Sequence, residues 1–198
     1  MLTKNNKEEV PFSYYAGLFS KADPAEISAR LGIPFENGAF RLTLLGKAYL
    51  IPHPICGQDR FAPTISVQTF LLRYLLEAKR VPWAGEWKTF REMPWGELYS
   101  KPYAGRVLTR AAFAFGTRVE TFRDACEKLG ATALEQSDGG FEFDFLGGYR
   151  IRILVWAADE EFPPSAQVLY SDNFAEGFAA EDRVVAGDIL ISTIKANM

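Results

Sequence analysis

Apolar positions recur along this chain with two different periods, and the change of period divides it into predicted elements. Asp23-Pro24-Ala25-Glu26 has the form of a helix start, with Asp as N-cap, Pro at the first helical position and Glu at the third. Gly32 is the expected stop. Phe40 to Leu44 alternates apolar and polar, Gly46 interrupts, and Ala48 to Ile51 continues, which predicts a β-hairpin. Val67, Leu71, Tyr74, Leu75 and Ala78 recur at helical spacing between Thr64 and Lys79; Phe70, Leu72 and Leu76 widen the stripe, so this helix should be largely buried.

Periodicity fades over 81–105, which holds three of the four tryptophans and reads as an irregular, ring-rich loop region. Arg106 to Phe115 is expected to be helical. A second helix is expected from Thr117, with Glu120 completing a capping box, to Gly130. Period two then dominates. Strands are predicted over 131–135, 141–146, 151–156 and 166–170, joined by turns at Asp138-Gly139-Gly140 and Gly147-Gly148. Glu181 to Lys195 closes the chain as a helix. Short turns favour antiparallel neighbours, so the expected class is α+β: a mostly antiparallel β-sheet with helices packed on it, in a single domain over 13–198 after a polar N-terminal arm over 1–12.

Composition narrows the classes of function. At 198 residues with 48% apolar and 24% charged types, the chain has the make-up of a folded soluble protein rather than a disordered one. The formal charge of −3 argues against a dedicated nucleic-acid binder. That total conceals a gradient: +1 over 1–78, +4 over 79–130 and −8 over 131–198. The first residues are polar, with no apolar core of a secretory signal, and the longest apolar run, Ile153 to Ala158, is far short of the ~20 residues that span a bilayer. Two cysteines far apart, Cys56 and Cys126, fit a reduced compartment, so a cytoplasmic location is expected.

Chemistry is concentrated in a few places. His53 is the sole histidine, in Pro52-His53-Pro54-Ile55-Cys56. It reads either as a Cys–His pair or half a metal site, with His53 and Cys56 as candidate ligands, or as a hydrogen-bonded loop histidine beside a packed thiol. Cys126 falls on one helix face with Val119, Phe122 and Leu129 and reads as core. Gly85-Glu86-Trp87 and Met93-Pro94-Trp95-Gly96-Glu97 interleave rings with carboxylates, as small-molecule pockets do, or simply pack rings onto a core. Trp156 is followed by three consecutive acids, Asp159, Glu160 and Glu161, which could bind a cation, act as acid or base, or keep a strand end in water. Arg106 and Arg110, four apart, share a helix face and could grip a phosphate or carboxylate, or pair internally.

The segments Gly85-Glu86-Trp87-x-x-Phe90, Trp156-x-x-Asp159-Glu160-Glu161-Phe162-Pro163 and Glu181-Asp182, with the Asp23-Pro24-x-Glu26 helix and the hairpin through Gly46, resemble a prokaryotic family defined by domain of unknown function 3786. The sequence departs from that pattern at Ala158 and Ser171, where Gly and Asp are expected. Some members of the family are joined to cysteine-rich iron–sulfur segments; two isolated cysteines do not make one, so no cluster is carried over. The resemblance implies no activity. It singles out Glu86, Trp87 and Asp159 to Phe162.

The leading expectation is a cytoplasmic small-ligand-binding or accessory domain. Its site would form where Glu86, Trp87 and Trp95 meet Trp156, Asp159, Glu160 and Glu161, a combination of rings and carboxylates that suits a cationic or metal-containing ligand, with Arg106 and Arg110 also contributing. One alternative is a carboxylate-dependent enzyme, acid/base or metal-assisted, using Asp159, Glu160 or Glu161; another is a protein-interaction module docking through its charge gradient. No cofactor is marked by the sequence. The expected partner is a small molecule or another protein, with neither nucleic acid nor membrane involved; the oligomeric state is left open.

Overall fold

The computed structural model describes residues 8–56 and 60–198. The chain divides into two compact units, one made of Met1–Thr43, Lys47–Val81 and Glu176–Phe178, the other of Leu44–Gly46, Pro82–Ala175 and Ala179–Met198. Its helices and antiparallel strands give the α+β class.

The first unit contains α1 (Glu9–Phe19), α2 (Pro24–Leu31), β1 (Phe35–Glu36), β2 (Ala39–Leu44, its last residue in the second unit), β3 (Lys47–Pro52) and α3 (Ile65–Glu77). Helix α1 begins inside the stretch expected to be a polar arm; residues 1–7 of that stretch lie outside the described residues. The Asp23 carboxylate accepts from the Ala25 amide at 2.9 Å, and Gly32 adopts a left-handed φ of 66°, so both predicted ends of α2 form as expected. Thr64 caps α3 through the Val67 amide at 3.2 Å, and Phe70, Leu71, Leu72 and Leu75 are buried. The Arg30 guanidinium closes the far end of α3 by donating to the carbonyls of Leu75 and Ala78. Phe70 and Tyr74 stack on Phe178.

The second unit is built on β4 (Trp87–Thr89), β5 (Thr132–Leu134), β6 (Gly139–Leu146), β7 (Tyr149–Trp156) and β8 (Ser165–Ser171). All are antiparallel, in the spatial order β5-β6-β7-β8-β4. Strand alternation puts Phe141, Phe143, Tyr149, Ile151, Ile153, Val155, Val168 and Tyr170 on one face, all buried. Against that face lie α5 (Arg110–Phe115), α6 (Val119–Lys128) and α8 (Ala180–Lys195); short α7 (Phe174–Gly177) is shared between the two units. Each fully buried Phe, Leu or Ile here contributes about 1.5–3 kcal/mol.

Two differences from expectation matter for the site. The 81–105 stretch is not an irregular loop. It forms β4, a 3₁₀ turn at Phe90–Glu92 that is boxed by Thr89 and Glu92, and helix α4 (Gly96–Tyr103). Helix α4 then runs into a π-helical segment, Ala104–Thr109, before α5, so Gly96–Phe115 is one helical run that changes its winding twice. Rings spaced for β4 and an internal Pro102 hide this from a simple period count. The capping box expected at Thr117 and Glu120 does not form; α6 starts at Val119 with no side-chain cap.

Candidate functional site

The acidic connection after Trp156 is wholly solvent-facing at Asp159, Glu160 and Glu161. Its shape is set by Asp159, whose Oδ1 accepts from the amides of Glu161 (2.8 Å) and Phe162 (2.7 Å) while its own amide donates to the Phe162 carbonyl at 3.0 Å. One carboxylate therefore builds the turn and two are left to water.

The expected meeting of this loop with Trp87 does not occur. Trp87 pairs with Ser171 at one end of β8 and Trp156 with Ser165 at the other. Six residues at 3.3 Å per residue separate the two by roughly 20 Å.

Trp87 instead covers a guanidinium. On the sheet face opposite the helices, Arg152 lies 4.0 Å from the Trp87 ring centroid and Arg150 lies 4.8 Å from that of Trp83. Both arginines converge on Glu142 of the neighbouring strand: Arg150 at 2.8 Å, and Arg152 through Nε and Nη2 at 3.0 and 2.9 Å. Asp172 secures the approach to β4 by accepting from the amides of Ala84 and Glu86, both at 3.2 Å. The Glu86 side chain is solvent-exposed, 4.0 Å from Lys88 Nζ. The cluster is a ring–cation–carboxylate layer that clamps β4 to the sheet.

Trp95 is held differently. Its φ is 64°, a left-handed conformation that costs a bulky residue roughly 1–2 kcal/mol, and its side chain is 73% exposed. Gly96 behind it has no room for a Cβ, which would overlap the Phe90 carbonyl. Beneath the loop, Arg183 is 1% exposed and donates from Nη2 to the Pro94 carbonyl, with its guanidinium 5.6 Å from the Phe90 centroid. Its Nε and Nη1 have no hydrogen-bond partner. Burial lowers its pKa, partly offset by Tyr170 and Asp182.

Arg106 and Arg110 do come together. Both bond the Asp188 carboxylate of α8, Arg110 at 2.9 Å, and Arg110 Nη2 also donates to Ser192 Oγ at 2.9 Å. Asp188 is sheltered, with a 17% exposed side chain, whereas Arg106 is 57% exposed. Two cations share one carboxylate, leaving an excess positive charge at the surface of the π-helical segment. Behind it, Tyr170 donates to the Arg183 carbonyl at 3.0 Å and its hydroxyl lies 3.1 Å from that of Tyr103. Burial pushes both phenols well above their usual pKa, so they remain neutral hydrogen-bonding groups.

His53 Nε2 lies 2.8 Å from the Phe19 carbonyl, its ring edge-on to Phe19, while Cys56 Sγ lies 3.8 Å from the Pro54 carbonyl. The two candidates for a pair thus address different backbone carbonyls. Among the described residues no group of three or more His, Cys, Asp and Glu could hold a metal ion. Burial pushes the Cys126 thiol up, as its apolar helix face predicts. Among the described residues no helix is long and apolar enough to cross a membrane.

Sequence reasoning missed Arg150, Arg152, Glu142, Arg183 and Asp188. The alternation Tyr149-Arg150-Ile151-Arg152-Ile153 contains a signal, since it sets two arginines on one strand face. Arg183 stands in helical register with Ala186, Leu190 and Ile194, a cation on an apolar stripe. Asp188 has no such signal, because only tertiary packing brings α8 to Arg106. No curated protein and no solved structure matches the chain. The family model described as domain of unknown function (DUF3786) matches residues 23–193, most of the chain, and the protein belongs to that family.

Proposed function

We propose that this protein is a small-ligand-binding accessory domain, cytoplasmic and non-catalytic, whose ligand is an anion carrying a carboxylate or phosphate group. The observation that carries the reading is the pair Arg106 and Arg110 on the single sheltered carboxylate of Asp188. Each guanidinium has five N–H donors in a rigid fork, of which Asp188 and Ser192 use few, so an incoming oxyanion meets donors already aimed and prepaid in conformational entropy. The π-helical segment adds support, because such segments are rare and gather at functional sites. A binding role also suits the acids: Asp159 is occupied by its own turn, and Glu160 and Glu161 are exposed to solvent.

Isothermal titration with inorganic phosphate, succinate and a nucleoside monophosphate tests this. Two charge-assisted hydrogen bonds supply about 4 kcal/mol, so at least one ligand should saturate at about 1 mM or below. Arg106→Gln with Arg110→Gln should abolish that binding, and Asp188→Asn, which removes the internal competitor, should tighten it. Absence of saturation by all three ligands, or full retention in the double variant, overturns the reading.

A further inference from the structure

We propose that the second unit carries a self-association surface on which the acidic Asp159–Phe162 loop of one copy docks against the Trp95 end of the helical run Gly96–Phe115 of a second copy, and reciprocally. Both halves of the contact are exposed on the same chain. On the run, Trp95, Leu98 and Phe113 are 73%, 71% and 61% exposed, and Lys101, Pro102, Gly105, Arg106 and Thr109 are solvent-facing between them. No acidic residue occurs from 98 to 119, while Lys101, Arg106, Arg110 and Arg118 do. Large apolar side chains standing in water beside cations, of which Arg106 and Arg110 share the single carboxylate of Asp188, are the composition of a docking surface rather than of a solvated helix.

The loop has the complementary chemistry. Phe162 is 65% exposed, and among the described residues Glu160 and Glu161 form no ion pair. Its turn is preformed by the Asp159 hydrogen bonds, so docking would order little. The loop stands at the Phe113 end of the run, because a Cβ on Gly116 would come within 3.0 Å of the Trp156 carbonyl and also strike Pro164. Trp95 is 18 residues away from Phe113, about 27 Å along the run. Two runs laid antiparallel about a two-fold axis therefore bring each loop to the other copy's Trp95 end. There Glu160 and Glu161 face Lys101, and Phe162 meets Trp95 and Leu98. The arrangement is self-complementary and closes at two copies. It also accounts for the Trp95 backbone, since strain held in place by its surroundings is a mark of functional positions. Arg106, mid-run, is common to this surface and to the anion site, but the contacts that carry the association are those at the two ends of the run.

Sedimentation velocity of the full chain over a concentration series, at low salt and at about 0.5 M salt, tests the proposal. The expected result is a dimer that dissociates as salt rises. Lys101→Glu alone and Glu160→Lys alone should each weaken it by about tenfold or more, through like charges at both contacts. Mixing the two variants should restore a heterodimer, because both contacts then pair opposite charges. Phe162→Ala should weaken association without altering the thermal transition measured at a concentration where both proteins are monomeric, since the side chain is exposed. A wild-type monomer at every concentration overturns the proposal. So does a dimer indifferent to both charge reversals, or one that the mixture fails to restore.

Discussion

Arg183 donates to the carbonyl of Pro94 from the inside of the protein, with Nε and Nη1 buried and unpartnered. That one bond ties α8 to the residue preceding Trp95, so an interior cation fixes an exposed ring. A buried charge satisfied this incompletely is a weak source of stability, and its replacement by an apolar side chain of similar length separates position from energy.

Arg183→Met should unfold in urea within about 1 kcal/mol of wild type, or later, because desolvation of the guanidinium is removed while volume is kept. Arg183→Ala should lose about 2–4 kcal/mol, from the cavity that the short side chain leaves, since the Pro94 carbonyl loses its donor in both variants. Equal losses in both variants would show that the charge, not the volume, secures the loop.

Trp95→Gly should raise stability by about 1 kcal/mol in the same experiment, because glycine adopts a φ of 64° without the Cβ penalty. Gly96→Ala should do the opposite and cost at least about 2 kcal/mol, as the new methyl group has only the Phe90 carbonyl to displace. A Trp95→Gly variant less stable than wild type would mean that the indole packs better than its exposure indicates.

Much of this fold is legible from short patterns. Asp23-Pro24 and Gly32 bound α2, and the Gly147-Gly148 turn joins β6 to β7, because capping and turn chemistry are local. The candidate site was less legible. Arg106 and Arg110 were readable as a pair four apart, but their shared Asp188 lies 78 residues beyond Arg110 and no spacing rule reaches it. The tryptophans misled for a related reason. Trp87 and the acidic loop are both conspicuous, yet residue type alone does not say that β8 holds them at opposite ends.

Glu142→Gln should cost about 1–3 kcal/mol, since it leaves Arg150 and Arg152 facing each other across a neutral amide. The change should also be visible in the fluorescence of Trp83 and Trp87, which lie over those guanidiniums. Unaltered emission together with unaltered stability would place the clamp elsewhere.

Alkaline pH should lower the stability of the protein progressively. Burial raises the Cys126 thiol above its ordinary 9.0 and the Tyr103 and Tyr170 phenols above 10.0, and pushes Tyr74 up to about 12 despite Arg30 and Arg80. In each case the unfolded chain releases its proton first. The stabilisation is therefore complete below pH 9 and declines as pH rises through the folded values. Tyr74 alone accounts for about 3 kcal/mol by pH 12. Urea midpoints measured from pH 7 to 11 should be flat at first and fall beyond about pH 9; Tyr74→Phe should flatten part of that fall.

The π-helical segment Ala104–Thr109 makes the run Gly96–Phe115 behave like a vernier. A π-turn accommodates one residue more than an α-turn, so the segment stores a single surplus position between Tyr103, whose hydroxyl meets Tyr170, and Arg110, whose guanidinium meets Asp188. Closing the run as plain α-helix with every residue kept would turn everything on one side by about 100° relative to the other, the angular step of a single helical residue. Tyr103 and Arg110 could then no longer reach their partners at once. Deleting one residue there removes the surplus instead, so a plain α-helix keeps both flanks in register, and the interior hydroxyl pair and the surface cations stay connected through a loss of length that a regular helix would not absorb.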